Sequence, residues 1–458
     1  MQTFLQQLRD IAGAAHVYHE PEDCWAYGYD NSRRQQTPAC VVLPESHAQV
    51  QRIVSLCYRL RRPLVARGLG TGTTGASVPI TGALVLSTER MNRILSIDAD
   101  NRMAIVQPGV TNQGLQDALA EYGFFWPPDP TSAAYCTIGG NLAYNSAGPR
   151  AIKYGTPREN TLGLLAVSGT GAALRCGVYT TKGVVGYDLT RLLIGSEGTL
   201  GIITEATLKL TPLPEAKTTL RISYRDIHSA TRAISAIMAQ PVTPYVLEFI
   251  DGQAIEMIRN YADSDLPAGA GALLMIEVDG SKTALSQSVN AITQAAGNDG
   301  VMEIKIAASD EEVKALWQTR KALSPALRTV APKKINEDVV VPVSRIPELI
   351  AGLQQLAIHH GITIINFGHA GNGNIHVNLL VDPDQPSQAQ AAEHCLNEVF
   401  DLVIRLQGTL SGEHGVGLEK KPYVSKELSP EVLAVMHGIK QVFDPGNILN
   451  PGKLFPDI

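Results

Sequence analysis

The sequence predicts an α+β protein of at least two domains: a glycine-dense first half, and a second half built on a broad antiparallel or mixed sheet with helices on one face. Three observations point there. The chain has 458 residues, too many for one core when domains run to ~150–200 residues. From about residue 37 to 213, short apolar runs alternate with glycine-rich turns. After the linker TPLPEAK, longer strands alternate with amphipathic helices.

In the first half, CVVLP, PLVARG, ALVLS and MAIVQPG read as strands. The segment 47–61 reads as a helix whose apolar face is set by Val50, Ile53, Val54, Cys57 and Leu60. A second helix starts near Thr111, carries Leu115, Ala118, Leu119 and Tyr122, and stops at Gly123. In the second half TLRISY, HSATRAISAIMAQ and YVLEFID, then ALLMIEVDG, SKTALSQSVNAITQAAG and VMEIKIA, make two successive strand–helix–strand runs. Strands DVVVPVS, ITIINF and HVNLLVD follow, with helices around 346–360 and 389–407. The ending FDPGNILNPGKLFPDI is too rich in Pro and Gly for a helix or a central strand, so it is expected to lie back on another surface. The expected domains are 1–215, 216–440 and a returning segment 441–458.

Composition excludes several classes. A hydrophobic content of 44% with 18% charged residues describes a globular chain. A net charge of −6 lacks the clustered basic excess that a nucleic-acid surface needs. No run is long enough to span a bilayer and no targeting segment is evident. The six cysteines form no CxxC pair, which removes the usual iron–sulfur and zinc-ribbon signatures. A cytoplasmic location is expected, with peripheral contact to the inner face of a membrane left open.

Two constellations carry chemistry. The loop RGLGTGTTG (67–75) follows a strand, and its glycines let backbone N–H groups form the concave nest that suits a pyrophosphate. It lacks the lysine of a P-loop, and no helix pattern follows it, so a nicotinamide-type dinucleotide fold is not favoured. The second constellation is His369 and His376, seven residues apart, with Glu413 and His414 further on. Two imidazoles and a carboxylate suit a divalent metal and leave coordination positions open. A seven-residue spacing fits the two sides of a turn between strands, and GNGN supplies the turn.

The glycine loop, PPDPTS (127–132), TIGGNLAYNSAG (137–148), KYG (153–155) and GSEGTLGIITEATLKLTP (195–212), in that order, closely resemble the FAD-binding domain of the vanillyl-alcohol oxidase and p-cresol methylhydroxylase (PCMH) superfamily. WQTRKALSPA (317–326), EDVVVPVSRIPELI (337–350), FGHAGNGNIHVN (367–378), GTLSGEHGVG (408–417) and ILNPGK (448–453) resemble the second half of its D-lactate, glycolate and D-2-hydroxyglutarate dehydrogenase branch. Together they span nearly the whole chain. The resemblance implies a two-part PCMH-type FAD-binding domain, plus a cap domain with a large, mostly antiparallel sheet covered by helices.

By the same resemblance FAD is expected on Arg67, Gly68, Leu69, Gly70, Thr71, Gly72 and Thr73, with Pro130, Ser132, Gly139, Gly140, Asn145, Gly198, Gly201, Ile202, Ile203 and Asn450 near it. No histidine stands in the two glycine segments, so FAD is expected to be non-covalent, with Cys136 the one residue left open. His369, His376 and Glu413 are the expected ligands of a divalent metal, zinc before manganese or iron. His414 is the expected base, and Arg320 the expected clamp on a substrate carboxylate. Asn378 could bind substrate, hold the metal shell or be structural. Hydroxyglutarate-type relatives carry a lysine two residues before the aspartate that matches Asp338, where this chain has Asn336. D-lactate is therefore the first expected substrate, ahead of glycolate and D-2-hydroxyglutarate. The electron acceptor is expected to be a quinone, a cytochrome or an electron-transfer flavoprotein. A non-catalytic FAD-binding subunit of an oxidase complex is the alternative.

Overall fold

The computed structural model describes residues 2–261, 266–330, 332–382 and 384–456. The chain divides into two compact units, one of residues 1–148, 155–213 and 413–458, the other of 149–154 and 214–412.

In the first unit β1 (Val17–Tyr18), β2 (Cys40–Val42), β3 (Leu64–Arg67) and β4 (Leu84–Ser87) form a sheet in the order β1-β2-β4-β3, with β2 and β3 both parallel to β4. Joining β2 to β3 across β4 requires a crossover, and the helix His47–Leu60 supplies it. Ser46 caps its start by accepting from the Gln49 N–H, and Arg61 ends it in the left-handed region. Val50, Ile53, Val54 and Cys57 are buried against Leu64 and Leu84, as their spacing predicts. In both predicted helices of this unit the last expected core residue falls outside the packed face: Leu60 is 48% exposed and Tyr122 52%. Leu60 sits in the final turn and Tyr122 beyond the helix Asn112–Ala120.

The chain continues through β5 (Ile94–Asp98), β6 (Met103–Val106), β7 (Phe124–Phe125), β8 (Thr161–Val167), β9 (Ala173–Gly177), β10 (Ile202–Lys209) and β11 (Thr211–Pro212). An antiparallel sheet in the order β5-β6-β10-β8-β9 forms here, and β7 pairs with β11. Each large sheet organises its own apolar cluster, so the unit is built in two parts.

The returning segment begins earlier than expected, at residue 413 rather than 441. The helix Pro430–Phe443 belongs to the first unit because its buried Lys440 donates to the carbonyls of Thr199 and Leu449, each at 2.8 Å, and to Asp444 at 2.5 Å. A helical pattern alone does not say which core a helix serves. The ending lies back as expected: Leu64 N–H donates to Ile448 and Asn450 N–H to Leu64, both at 2.7 Å, extending the β3 edge.

In the second unit β12 (Ala216–Tyr224), β13 (Val246–Asp251), β14 (Ala272–Gly280), β15 (Val301–Ile306), β16 (Lys333–Val340), β17 (Thr363–His369) and β18 (Asn374–Val381) form one sheet in the order β15-β12-β14-β13-β17-β18-β16. Every pairing is antiparallel. The two strand–helix–strand runs are present but interleaved, since β14 lies between β12 and β13, and this settles the open choice between an antiparallel and a mixed sheet. Helices cover both faces rather than one. Tyr224 reaches across one face to the Ala296 carbonyl at the end of the helix Leu285–Ala296. On the other, Ile250, Leu273, Ile365 and Phe367 pack with Ile255 and Ile258 of the helix Gly252–Tyr261 and with Leu323 and Leu327 of the helix Asp310–Val330. No helix among the described residues is long and apolar enough to cross a membrane.

Candidate active site

Strand register assembles the polar cluster of the second unit. Glu248 pairs with His369 across β13 and β17, Phe367 with His376 across β17 and β18, and Asp338 and Asn336 with His376 and Asn378 across β16 and β18. Because side chains alternate along a strand, Glu248, His369, His376, Asn378, Asn336 and Asp338 all point to one face. His369 and His376 are buried, with ring centroids 5.2 Å apart and planes at 82°. The turn between them is the one the spacing predicts, and it depends on glycine. Gly373 has φ +76°, and a Cβ there would lie 1.8 Å from the Val341 carbonyl oxygen.

The helix Asp310–Val330 crosses this face and is held by two carboxylates. Trp317 Nε1 donates to Glu277 at 2.7 Å, and Arg320 Nε donates to Glu248 at 2.9 Å. The two donors are three residues apart and so share one side of the helix. Arg320 is thus a mostly buried, paired arginine, and its guanidinium carbon stands 4.7 Å from the centre of the Phe367 ring.

Glu248 was not among the residues expected from sequence. Its carboxylate bonds both Arg320 and the Nδ1 of His369. Burial alone would push this carboxyl up, but the His369 ring and the Arg320 guanidinium hold it well below the usual carboxylate range. A carboxylate on Nδ1 fixes the imidazole tautomer and leaves Nε2 as the ligating nitrogen, the usual outer-shell arrangement of a metal-bound histidine. The signal was present in the sequence as an acid flanked by apolar residues in the strand VLEFID.

Asn378 Nδ2 donates to the carbonyls of Ile365 and His376 at 3.2 and 3.1 Å, which fixes the amide. Its Oδ1, and that of Asn336 opposite, are buried and find no donor among the described residues. Two unsatisfied amide oxygens beside two buried imidazoles suit a polar guest, since buried acceptors left unpaired are costly.

In the first unit the glycine loop forms a shelf. Residues 68–73 are partly or fully exposed between the buried Arg67 and Thr74. A Cβ on Gly68 would meet Thr137 Oγ1 at 2.4 Å, and one on Gly72 would meet the Tyr144 hydroxyl at 2.6 Å, so only glycine lets the loop lie this close to the helix Ile138–Tyr144. Thr71 and Gly72 are held through their carbonyls by Asn31, while Leu69 stays exposed. Arg67 turns inward, donating to the carbonyls of Tyr29 at 2.7 Å and Ala26 at 3.3 Å, and so braces the loop from behind. Asn450 donates to the carbonyls of Ala76 and Glu197 and ties the loop to the GSEGTLG segment and its Gly198. Four sequence-distant segments of the expected FAD site therefore meet.

Other expected residues have local explanations of their own. Asn145 ends the helix Ile138–Tyr144 and accepts from Thr156 and Arg158; Ile202 and Ile203 are buried in apolar cores; Gly201 lies against Leu193 and Val167. Pro130 and Ser132 shape the turn to Cys136 through their carbonyls. Gly139 presses on Pro108, and Gly140 donates to the capping Thr137 hydroxyl. Cys136 is buried beside Asn141, and burial pushes its thiol up, which disfavours the thiolate.

The segment carrying Glu413 and His414 is fastened to this shelf by its backbone. Thr74 donates from its hydroxyl to the His414 carbonyl at 3.3 Å and accepts at its own carbonyl from Leu418 at 2.7 Å. Ser146 donates to the Glu413 carbonyl at 3.2 Å, and Gly148 N–H donates to the Glu413 carboxylate at 3.0 Å. Glu197, a second residue missed from sequence, accepts from the N–H groups of Val416 and Gly417 at 2.6 and 2.8 Å. The expected FAD residues thus share one unit with Glu413 and His414, whereas Arg320, His369 and His376 belong to the other.

Comparison with known proteins agrees with this architecture. The FAD binding domain model matches residues 38–177, and the model of the FAD linked oxidases, C-terminal domain, matches residues 213–454. The chain is 39% identical over 451 residues to the glycolate oxidase subunit GlcD of Bacillus subtilis (strain 168), covering 98% of this chain and 96% of that one. It is 32% identical over 425 residues to the D-lactate dehydrogenase of Anaerostipes hadrus, covering 91% and 89% respectively. The crystal structure of p-cresol methylhydroxylase with substrate bound matches with a TM-score of 0.81 at 18% identity, over 100% of this chain and 97% of that one. At that identity the likeness speaks for the fold: a two-part PCMH-type FAD-binding domain and a cap domain on a large antiparallel sheet.

Proposed function

The chain belongs to the FAD-linked oxidases, and from that premise we propose that it is a FAD- and divalent-metal-dependent dehydrogenase that oxidises a D-2-hydroxy acid, D-lactate first, to the 2-oxo acid. The carrying observation is the buried His369–His376 pair with Glu248 on Nδ1 of the first, next to Arg320. The expected third ligand, Glu413, follows directly on Gly412, whose N–H donates to the Asp338 carbonyl at 2.8 Å and carboxylate at 3.0 Å. Asp338 is the register partner of His376, which supports Glu413 as the proposed third ligand.

Residues 67–73 would hold FAD without a covalent tether, and FAD bound there would supply the two-electron acceptor for the C2 hydride. His369, His376 and Glu413 would hold a divalent metal, zinc before manganese or iron, which would supply a Lewis acid to the substrate hydroxyl. The residues do the rest. Arg320, oriented by Glu248, grips the substrate carboxylate; Asn378 offers Oδ1 to the hydroxyl side; His414 takes the hydroxyl proton. Glu248 orients both His369 and Arg320. Glu248→Gln is expected to weaken metal retention about 10–100-fold, read as metal remaining after dialysis against graded chelator; wild-type retention would remove Glu248 from this role.

Asn336 supports the small monocarboxylate. It faces the same side as His376 and Asn378, and a neutral amide there offers no cation to a second carboxylate. Glycolate is the second reading, favoured by the identity to GlcD. The test is anaerobic flavin bleaching across D-lactate, L-lactate, glycolate and D-2-hydroxyglutarate, with and without chelator. D-lactate is expected to bleach fastest, and only without chelator. Since glycolate lacks one methyl group, its rate should differ by about 10–200-fold, and a faster glycolate reaction transfers the assignment to the second reading. In Asn336→Lys the preference for D-2-hydroxyglutarate over D-lactate should rise by about 10–100-fold, the worth of one hydrogen bond to a charged group; an unchanged ratio places Asn336 outside the substrate site.

A further inference from the structure

A second cluster of metal-ligating side chains lies at the other end of β17. His359 and His360 occupy the last turn of the helix Ile346–His360, and Glu398 lies on the helix Pro386–Arg405 packed beside it. One ligand atom from each of the three falls within 4.8 Å of the others. We propose that this trio is a binding site for a divalent transition ion of the zinc class, which clamps the two helices together.

Geometry, electrostatics and donor chemistry agree. Tetrahedral ligands ~2.1 Å from a zinc ion are about 3.4 Å apart, and His360 Nε2 stands 3.2 Å from Glu398 Oε1. The His359 ring sits edge-on to that of His360, with centroids 4.7 Å apart. A rotamer change in His359, the exposed member of the histidine pair, closes the remaining gap. The helix ends here with Gly361 at φ 64°, so the last carbonyls contribute the negative end of the helix dipole next to the Glu398 carboxylate, and both favour a cation. Two imidazoles and one carboxylate suit zinc, nickel or copper and disfavour magnesium and calcium, which call for oxygen ligands.

The site is separate from the proposed catalytic one and does not rest on it. Both clusters belong to the same strand path, since β17 begins at Thr363 and ends at His369. At ~3.3 Å per residue the strand alone keeps them about 20 Å apart, too far to share an ion. Helices Ile346–His360 and Pro386–Arg405 pack on β17 and β18 respectively, so a clamp between them stiffens the sheet from the side opposite the histidine pair.

The test uses full-length, FAD-loaded protein carrying His369→Ala and His376→Ala, titrated with zinc chloride alone. Calorimetry should show a single chelator-reversible site, and the unfolding temperature should rise with zinc concentration but not with magnesium. Adding His359→Ala and Glu398→Gln should abolish both responses. In parallel, His359→Ala/His360→Ala in the otherwise unchanged chain should lower bound zinc by one equivalent per chain with no change in flavin reduction rate. The proposal is overturned by absence of zinc binding in the first protein, by binding that survives His359→Ala and Glu398→Gln, or by unchanged zinc content in the parallel variant.

Discussion

His376→Ala is expected to keep the yellow flavin while losing metal and slowing anaerobic reduction by D-lactate about a thousandfold. The flavin is retained because the expected FAD shelf is built within the first unit from the loop 67–76, the helix Ile138–Tyr144, GSEGTLG and Asn450, whereas His376 belongs to β18 of the second. The rate falls because a Lewis acid on the hydroxyl is worth several kcal/mol of barrier, and ~4 kcal/mol corresponds to about three orders of magnitude. His369, Glu248 and Arg320 remain mutually bonded in this variant, so the sheet face is expected to keep its shape, which circular dichroism checks. Metal content, flavin absorbance and stopped-flow bleaching are read on the same sample. A metal-free His376→Ala protein that bleaches at the wild-type rate would end the metal-assisted reading.

Much of this site was legible because its motifs are local. GHAGNGNIH places two histidines across a turn, and the turn forms as read, with Gly373 at φ +76°. The glycine loop reads as a nest for a pyrophosphate, and its glycines lie against Thr137 and Tyr144. What sequence did not show was pairing between distant strands. Glu248 lies 121 residues from His369, and only the β13–β17 register brings it to the Nδ1 nitrogen. Glu197, inside a motif read for its glycines, holds the Val416 and Gly417 amides 219 and 220 residues away. The same limit explains the fold. Strands and helices followed their periodicity, but the interleaving of β14 between β12 and β13, the helices on the second face and the return at residue 413 are decided by packing between distant segments, a tertiary property that a local pattern does not encode.

His414→Ala should reduce flavin bleaching by about 10²–10⁴-fold, the span of a positioned general base, while metal and flavin both stay bound. The segment supports this separation of effects because it is anchored at several points besides the His414 ring. Thr74 holds the His414 carbonyl, Gly148 the Glu413 carboxylate, and Glu197 the next amides. Gly415 sits at φ +81°, where a Cβ would lie 2.6 Å from both Glu197 and Tyr144, so the chain on either side is fixed and removing the ring does not release it. The two substitutions therefore separate two roles. His376→Ala loses metal and rate together; His414→Ala loses rate alone. If metal leaves with His414 as well, the imidazole is a ligand and the base lies elsewhere. If the rate is unchanged, the proton leaves by a route that does not involve His414.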